Sequence, residues 1–317
     1  MRSLTKLIVA AAELAVLQIK ANSLLPAVGG SEQIGWSLAP IRGVLRFSLA
    51  VAFTSTLWVL VTQLDKLVLS RLLTLQNYGY FSLAVVIAGS VLIATGPIST
   101  VLIPRLTYLA AKGDEAGMLQ IYGRATRVVS AIAFPVAFVL ATFAGPVVWA
   151  WTGDARAAQE IAPILQPYAL GNAVMAVGAF PAYLQFAHGD LRLHLIGSVL
   201  FVVALLPSLI AGVWKFGAVG AGWAWLGTNV VYFFLWVPVV HGKLAPGLHS
   251  CWLGRDVLVA AGVAAGSALL IESWIKVPEL SRVEAGLVPL SVGAGVLLLT
   301  SLPILWAERP KKLRFDV

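Results

Sequence analysis

Residues 45–81, LRFSLAVAFTSTLWVLVTQLDKLVLSRLLTLQNYGYF, are apolar enough to form a membrane-spanning helix, yet they carry Thr54, Ser55, Thr56, Thr62, Gln63, Asp65, Lys66, Ser70 and Arg71. At about 100° per residue on a helical wheel, Ser48, Ser55, Thr62, Lys66 and Ser70 share one stripe, flanked by Thr54, Thr56, Gln63 and Asp65. Phe53, Leu57, Leu60, Val61, Leu64, Leu67 and Val68 cover the opposite side. Ionisable groups at membrane depth are costly and face a bundle interior or a wet cavity. This stretch therefore calls for a polar cleft, with other helices as its walls.

The rest of the chain supplies such walls. Charged residues make up 11% of the sequence and hydrophobic ones 59%, with a mean hydropathy of +0.89; a soluble protein averages about a quarter charged. Several apolar runs reach the roughly 20 residues needed to cross a bilayer core as helices, and the strict alternation of an outer-membrane barrel is absent. The fold class is all-α, a polytopic helical membrane bundle. The net charge of +8 does not point to nucleic acid, because the basic residues stand singly between apolar runs, as in cytoplasmic loops. Cys251 is the sole cysteine, so no intramolecular disulfide framework or cysteine-cluster metal site is available.

In chain order, Met1–Gly30 holds Arg2 and Lys6 ahead of an apolar run, Leu7–Leu17, that Glu13 interrupts. With Lys20 ahead of Ala21-Asn22-Ser23 this is a poor signal peptide, and the segment is expected to be a partial or interfacial helix. Gly29–Pro40 reads as a polar loop. Eight spanning helices follow, near 46–70, 79–103, 129–149, 161–186, 193–213, 217–240, 256–275 and 286–306. Gly96-Pro97 is expected to break the second and Pro104 to end it, and Arg105–Arg127 to form a short amphipathic helix along one membrane face. The segments group as 1–39 (partial helix and loop), 40–245 (a transporter half of about six helices) and 246–317 (two further helices and a basic tail).

With Pro40–Arg46 placed in the cytoplasm, Arg42, Arg46, Arg105, Lys112, Arg124, Arg127, Arg192, Lys243, Arg255 and the tail Arg309–Arg314 fall on that side. Lys66, Arg71, Arg156, Lys215, Lys276 and Arg282 oppose them. The positive-inside rule then predicts a cytoplasmic C-terminus. Trp149, Trp151, Trp214 and Trp274 fall at the other helix ends, where an interfacial aromatic belt is expected.

Catalytic chemistry is scarce. The histidines are His188, His194, His241 and His249, and only H-G-D-L-R-L-H at 188–194 gathers ionisable groups, in what reads as a solvated turn. No H-E-x-x-H, Walker A or G-x-S-x-G motif occurs. No catalytic residue, metal site or cofactor is expected, so transport by such a chain would be secondary or downhill. Asp65 and Lys66 point about 100° apart as helix neighbours, and each needs another partner or a ligand. Asn172, Tyr183 and Gln185 are hydrogen-bonding groups on the fourth helix, open between helix–helix contacts and ligand contacts.

Thr62–Ala84, T-Q-L-D-K-L-V-L-S-R-L-L-T-L-Q-N-Y-G-Y-F-S-L-A, resembles polysaccharide-export flippases, the Wzx-type O-antigen translocases of the MATE-like superfamily. I-P-R-L-T-Y-L-A-A-K-G-D (Ile103–Asp114), L-Q-P-Y-A-L-G-N (Leu165–Asn172), F-P-A-Y-L-Q-F-A-H-G-D (Phe180–Asp190) and G-A-V-G-A-G-W-A-W-L (Gly217–Leu226) are similar in order and spacing. The likeness runs from about Pro40 to His241. It implies two six-helix bundles around a central cleft, in a bacterial inner-membrane protein that flips an undecaprenyl-diphosphate-linked oligosaccharide by alternating access.

The resemblance further implies that Lys66, Arg71 and Arg105 meet the diphosphate, with Thr62, Gln63, Asn172, Tyr183 and Gln185 as further cleft residues. Asp65 would position Lys66 or bind a coupling ion. The family's first bundle is not recognisable here, so the expectation is a fragment, a split transporter with a partner chain, or a homodimer. Two other classes stay open: a MATE-type cation or drug antiporter, which needs carboxylates in its cleft, and a polytopic glycosyl- or acyltransferase, which needs a catalytic carboxylate or histidine beside a sizeable loop.

Overall fold

The computed structural model describes residues 12–20, 23, 39–274 and 281–307. The chain divides into two compact units, Met1–Leu45 and Arg46–Val317. In the first, residues 12–20 form a helix with exposed side chains. The expected polar loop over 29–38 and the basic tail over 308–317 lie outside the described residues.

Every described element is helical. α1 (Ala39–Leu72) is followed by α2 (Leu75–Ala88), α3 (Ser90–Ala111), α4 (Glu115–Thr142), α5 (Ala144–Thr152), α6 (Ala155–Gly178), α7 (Phe180–His188) and α8 (Arg192–Leu244). A single turn, α9 (Leu248–Cys251), leads into a π-helical segment, Trp252–Leu258, then α10 (Val259–Trp274) and α11 (Arg282–Ala307). Seven helical stretches among the described residues are long and apolar enough to cross a membrane. One of these, α8, has 53 residues, about 80 Å if straight against a core of about 30 Å. It reverses at Gly217, where φ is +60° and ψ is −144°, so its two arms run antiparallel as separate crossings. Phe201 on the first arm meets Tyr232 edge-on at 5.4 Å on the second, and Ser208 Oγ lies 3.2 Å from Thr228 Oγ1.

Side-chain caps set several starts. Thr74 Oγ1 accepts from the Asn77 N–H at 3.3 Å at the head of α2, and Asp114 Oδ1 from Gly117 N–H at 2.9 Å at the head of α4. Asp154 Oδ1 accepts from the N–H groups of Arg156 and Ala157 at the head of α6. Each cap satisfies amides that the first helical turn leaves without intrahelical partners.

The helix breaks differ from the expected ones. Leu75–Ala111 forms one span broken at Gly89, not at Gly96-Pro97, and Pro104 lies inside α3 instead of ending it. A proline deletes one intrahelical hydrogen bond, and neighbouring groups in a membrane bundle can make up the loss. Arg105–Arg127 is not a separate surface helix. α3 continues to Ala111, Lys112-Gly113-Asp114 turn the chain, and α4 starts at Glu115.

Two helices form the interior. α6 packs against α2, α4, α5 and α8, while α4 packs against α3, α6, α10 and α11. Lipid offers no hydrophobic drive for helix association, so close packing of small residues carries it. A Cβ on Gly171 of α6 would lie 2.6 Å from Trp225 Cδ1 of α8, and one on Gly222 of α8 would lie 2.6 Å from Pro167 Cγ of α6. The two helices thus offer each other one glycine and one bulky ring in reciprocal positions. Leu49, Phe53, Leu60 and Leu67 of α1, Ile93 and Val101 of α3, and Val203, Ile210 and Leu235 of α8 are exposed apolar side chains suited to lipid.

Candidate functional site

α1 turns Val61, Leu64, Asp65 and Leu69 inward. Their spacing of three and four residues is the helical repeat of one face. The inward stripe is therefore that of Asp65, one position round from the Thr62–Lys66–Ser70 stripe. Asp65 is 4% exposed; its Oδ1 accepts from the Lys66 backbone N–H at 2.7 Å and its Oδ2 from the Tyr168 hydroxyl of α6 at 3.1 Å. Lys66 is half-buried and donates through Nζ to Gln63 Oε1 at 3.1 Å. Neighbouring residues of opposite charge thus take separate partners, as their divergence on the helix requires. Thr62 is half-buried and donates to the Val59 carbonyl at 3.1 Å, whereas Gln63, Ser70 and Arg71 are exposed.

Asp65 is the start of a buried polar chain. Tyr168 stacks on Trp225 with ring centroids 6.0 Å apart, Trp225 Nε1 donates to Asn172 Oδ1 at 3.0 Å, and Asn172 Nδ2 donates to the Ala88 carbonyl at 2.9 Å. Four helices, α1, α2, α6 and α8, are joined by these contacts. Asn172 has both ends of its amide committed to this role. The Tyr168→Phe variant should lose about 1–3 kcal/mol, since it leaves a buried carboxylate oxygen without its hydroxyl donor. Thermal melting of the detergent-purified protein measures the loss.

Beside this chain lies a cavity of about 510 Å³ between α1, α6, α7 and both arms of α8. Ser55, Leu57, Val59 and Val61 form its α1 wall. Tyr183, Gln185 and Phe186 come from α7, His194, Ser198 and Phe201 from the first arm of α8, and Asn229, Tyr232 and Trp236 from the second. Its size lies within the range of small-molecule sites. Among the described residues no Lys, Arg, Asp or Glu lines it. Tyr183 donates to Ser99 Oγ at 2.8 Å, and Gln185, 2% exposed, reaches only the Pro181 carbonyl at 3.4 Å, leaving Oε1 without a partner.

Of the residues singled out from the sequence, Tyr183 and Gln185 share this cavity. Thr62, Gln63, Lys66 and Arg71 continue along α1 beyond the portion that lines it, and Asn172 is part of the buried cross-link. Arg105 is exposed on α3, with its guanidinium 5.5 Å from the Tyr108 ring. The H-G-D turn serves helix ends: His188 Nδ1 meets the Leu184 carbonyl at 2.8 Å and Asp190 Oδ1 accepts from Arg192 N–H at 3.1 Å. Among the described residues no three metal-ligating side chains converge.

A second buried polar cluster was not anticipated. Where α8 ends and the π-helical segment begins, the Tyr122 hydroxyl of α4 lies 2.7 Å from His241 Nε2, and His241 Nδ1 lies 3.0 Å from His249 Nδ1. Trp252, fully buried, donates to Thr126 Oγ1 at 2.9 Å. One helical turn further, Asp256 is 1% exposed and its Oδ1 accepts from Arg127 Nη1 at 2.8 Å and Arg255 Nε at 2.9 Å. The partners that reach α4, through Tyr122, Thr126 and Arg127, are 119 to 129 residues apart in sequence, so only the fold joins α4 to this end of the chain. Seven successive π-helical residues are unusual, and they place Trp252, Asp256 and Val257 all inward.

Residues 14–156 match the model of a family described as polysaccharide biosynthesis protein. No curated protein matches the sequence. Among solved structures, the lipid II flippase MurJ in an inward closed conformation is similar, with a TM-score of 0.64 at 12% identity. The likeness covers 86% of this chain and 57% of that one, and at this identity it is a likeness of fold.

Proposed function

We propose that this membrane chain moves a lipid-linked oligosaccharide, of the undecaprenyl diphosphate kind, across the bacterial inner membrane for cell-surface polysaccharide such as O-antigen. The observation that carries this reading is the cavity within the bundle, walled on one side by α1, the helix that further along bears Gln63, Lys66 and Arg71. A diphosphate crossing a membrane needs cationic partners; lysine meets it as a point charge and arginine in a two-pronged fashion. Lys66 and Arg71 take that part, with Arg105 of α3 as a further contact. Asp65, tied to Tyr168, holds α1 so that Lys66 faces away from the packed interior.

Several features favour this reading over a cation antiporter. Among the described residues the cavity lining contains no carboxylate, and Asp65 is engaged by a tyrosine and a backbone amide. The matched family is described as polysaccharide biosynthesis and the fold is similar to that of a lipid flippase, while His188 and Asp190 are engaged at helix ends. Translocation proceeds by alternating access, and because the chain spans 57% of the length of the flippase it resembles, a second half or a second copy completes the cleft. The Lys and Arg distribution favours a cytoplasmic C-terminus.

The test is rescue of surface polysaccharide in a strain lacking its own oligosaccharide-lipid flippase, with the chain expressed from its native locus. Lys66→Ala and Arg71→Ala are each expected to lower export about tenfold, the worth of one charge-assisted contact of about 1.4 kcal/mol. Full export in both single variants and in the double variant would remove the cationic role.

A further inference from the structure

We infer that the cavity between α1, α6, α7 and α8 is a subsite for the saccharide, and that it selects an uncharged sugar over an acidic one. The inference rests on the flippase reading and adds a division of labour: charge recognition along α1, sugar recognition in the cavity. Three features of the cavity carry it. Among the described residues its lining has no Lys, Arg, Asp or Glu and His194 is its one basic side chain, so a uronate there would have no lysine or arginine counterion in a membrane interior. Its walls include the rings of Phe201, Tyr232 and Trp236 from α8, and such apolar faces suit the C–H faces of a pyranose.

The third feature is Gln185, which is 2% exposed and lines the cavity with its amide oxygen unpartnered. A buried unpartnered amide is costly. A hydrocarbon occupant leaves it so, whereas a sugar hydroxyl satisfies it. Either orientation of the amide leaves one end free for a hydroxyl, which both donates and accepts. Ser198 and Asn229 add hydroxyl and amide groups on the facing arms of α8.

The test compares three ligands bound to the protein in nanodiscs: undecaprenyl diphosphate alone, the same lipid bearing N-acetylglucosamine, and the same lipid bearing glucuronic acid. The neutral glycolipid is expected to bind about tenfold more tightly than either of the others, a difference of about 1.4 kcal/mol. Gln185→Leu should bring its affinity down to that of the bare lipid, with helical content and melting recorded as the control for folding. Tyr232→Phe, which keeps the ring and removes the hydroxyl, should reduce the preference about threefold. Equal binding of all three lipids, or glucuronate binding as tightly as the neutral sugar, overturns the subsite and leaves the flippase reading standing. Failure of all three to bind overturns that reading, and the subsite with it.

Discussion

With Gly220 replaced by alanine, the α8 hairpin is expected to lose about 3 kcal/mol of stability, the upper part of the usual range for overpacking a tight contact. A Cβ at Gly220 would collide with the carbonyl of Gly212 on the other arm, and one at Gly212 would lie 2.6 Å from the Gly220 carbonyl oxygen. Both obstacles are backbone, so no side chain can turn aside, and the arms must separate along their length. Separation would pull Phe201 from Tyr232 and Ser208 from Thr228. It would also shift Trp225, which the buried chain from Asp65 to Ala88 passes through. Gly217→Ala should cost less, about 2 kcal/mol, for a different reason: open space surrounds a Cβ there, but φ of +60° with ψ of −144° is a conformation that glycine adopts freely and alanine does not. The pair Gly212→Ala and Gly220→Ala should be less than additive, because one opening of the arms relieves both clashes. Thermal unfolding of the purified variants, followed by circular dichroism, measures all three effects. A melting curve for Gly220→Ala that overlays the parent would show that the arms do not meet at this point.

The hairpin also shows what the amino-acid sequence reveals unaided. A run from Arg192 to Leu244 is too long for one crossing, and length alone separates 193–213 from 217–240, close to the reversal at Gly217. Hydropathy suffices for the polytopic class, because in a bilayer every backbone amide must be satisfied within its own helix. The divergence of Asp65 and Lys66 is also legible, since it follows from 100° per residue. Choosing which of the two enters the bundle is not. The sequence shows a polar stripe through Thr62, Lys66 and Ser70, while the structure buries Val61, Asp65 and Leu69, because Tyr168, 103 residues away, waits there with a hydroxyl. Helix breaks are misjudged for a related reason. Gly96-Pro97 and Pro104 look like punctuation, yet neighbouring helices let α3 run through them. The buried cluster around Asp256 is the least legible of all: Arg127 and Arg255 read as ordinary loop charges until α4 and the π-helical segment bring both to Asp256.

That cluster should be the bundle's other point of failure, and its members should not be equivalent. Arg127→Ala is expected to cost about 3 kcal/mol, since it strips a carboxylate that is 1% exposed of its closest counterion. Arg255 remains but is 63% exposed, and a partner so open to water screens weakly. Asp256 Oδ2 has no hydrogen-bond partner to compensate and is pressed against Gly123, where a Cβ would lie 2.9 Å from it. Asp256→Ala should cost less, because the guanidinium of Arg127, 19% exposed, and that of Arg255 can turn toward water or headgroups once released. The double variant Arg127→Met with Asp256→Leu should recover most of the loss, as an ion pair exchanged for packed apolar side chains commonly does. Melting temperatures of the two single variants and the double close this cycle. If Arg127→Ala melts with the parent, the contact between Arg127 and Asp256 adds nothing to stability and packing alone holds the arginine there.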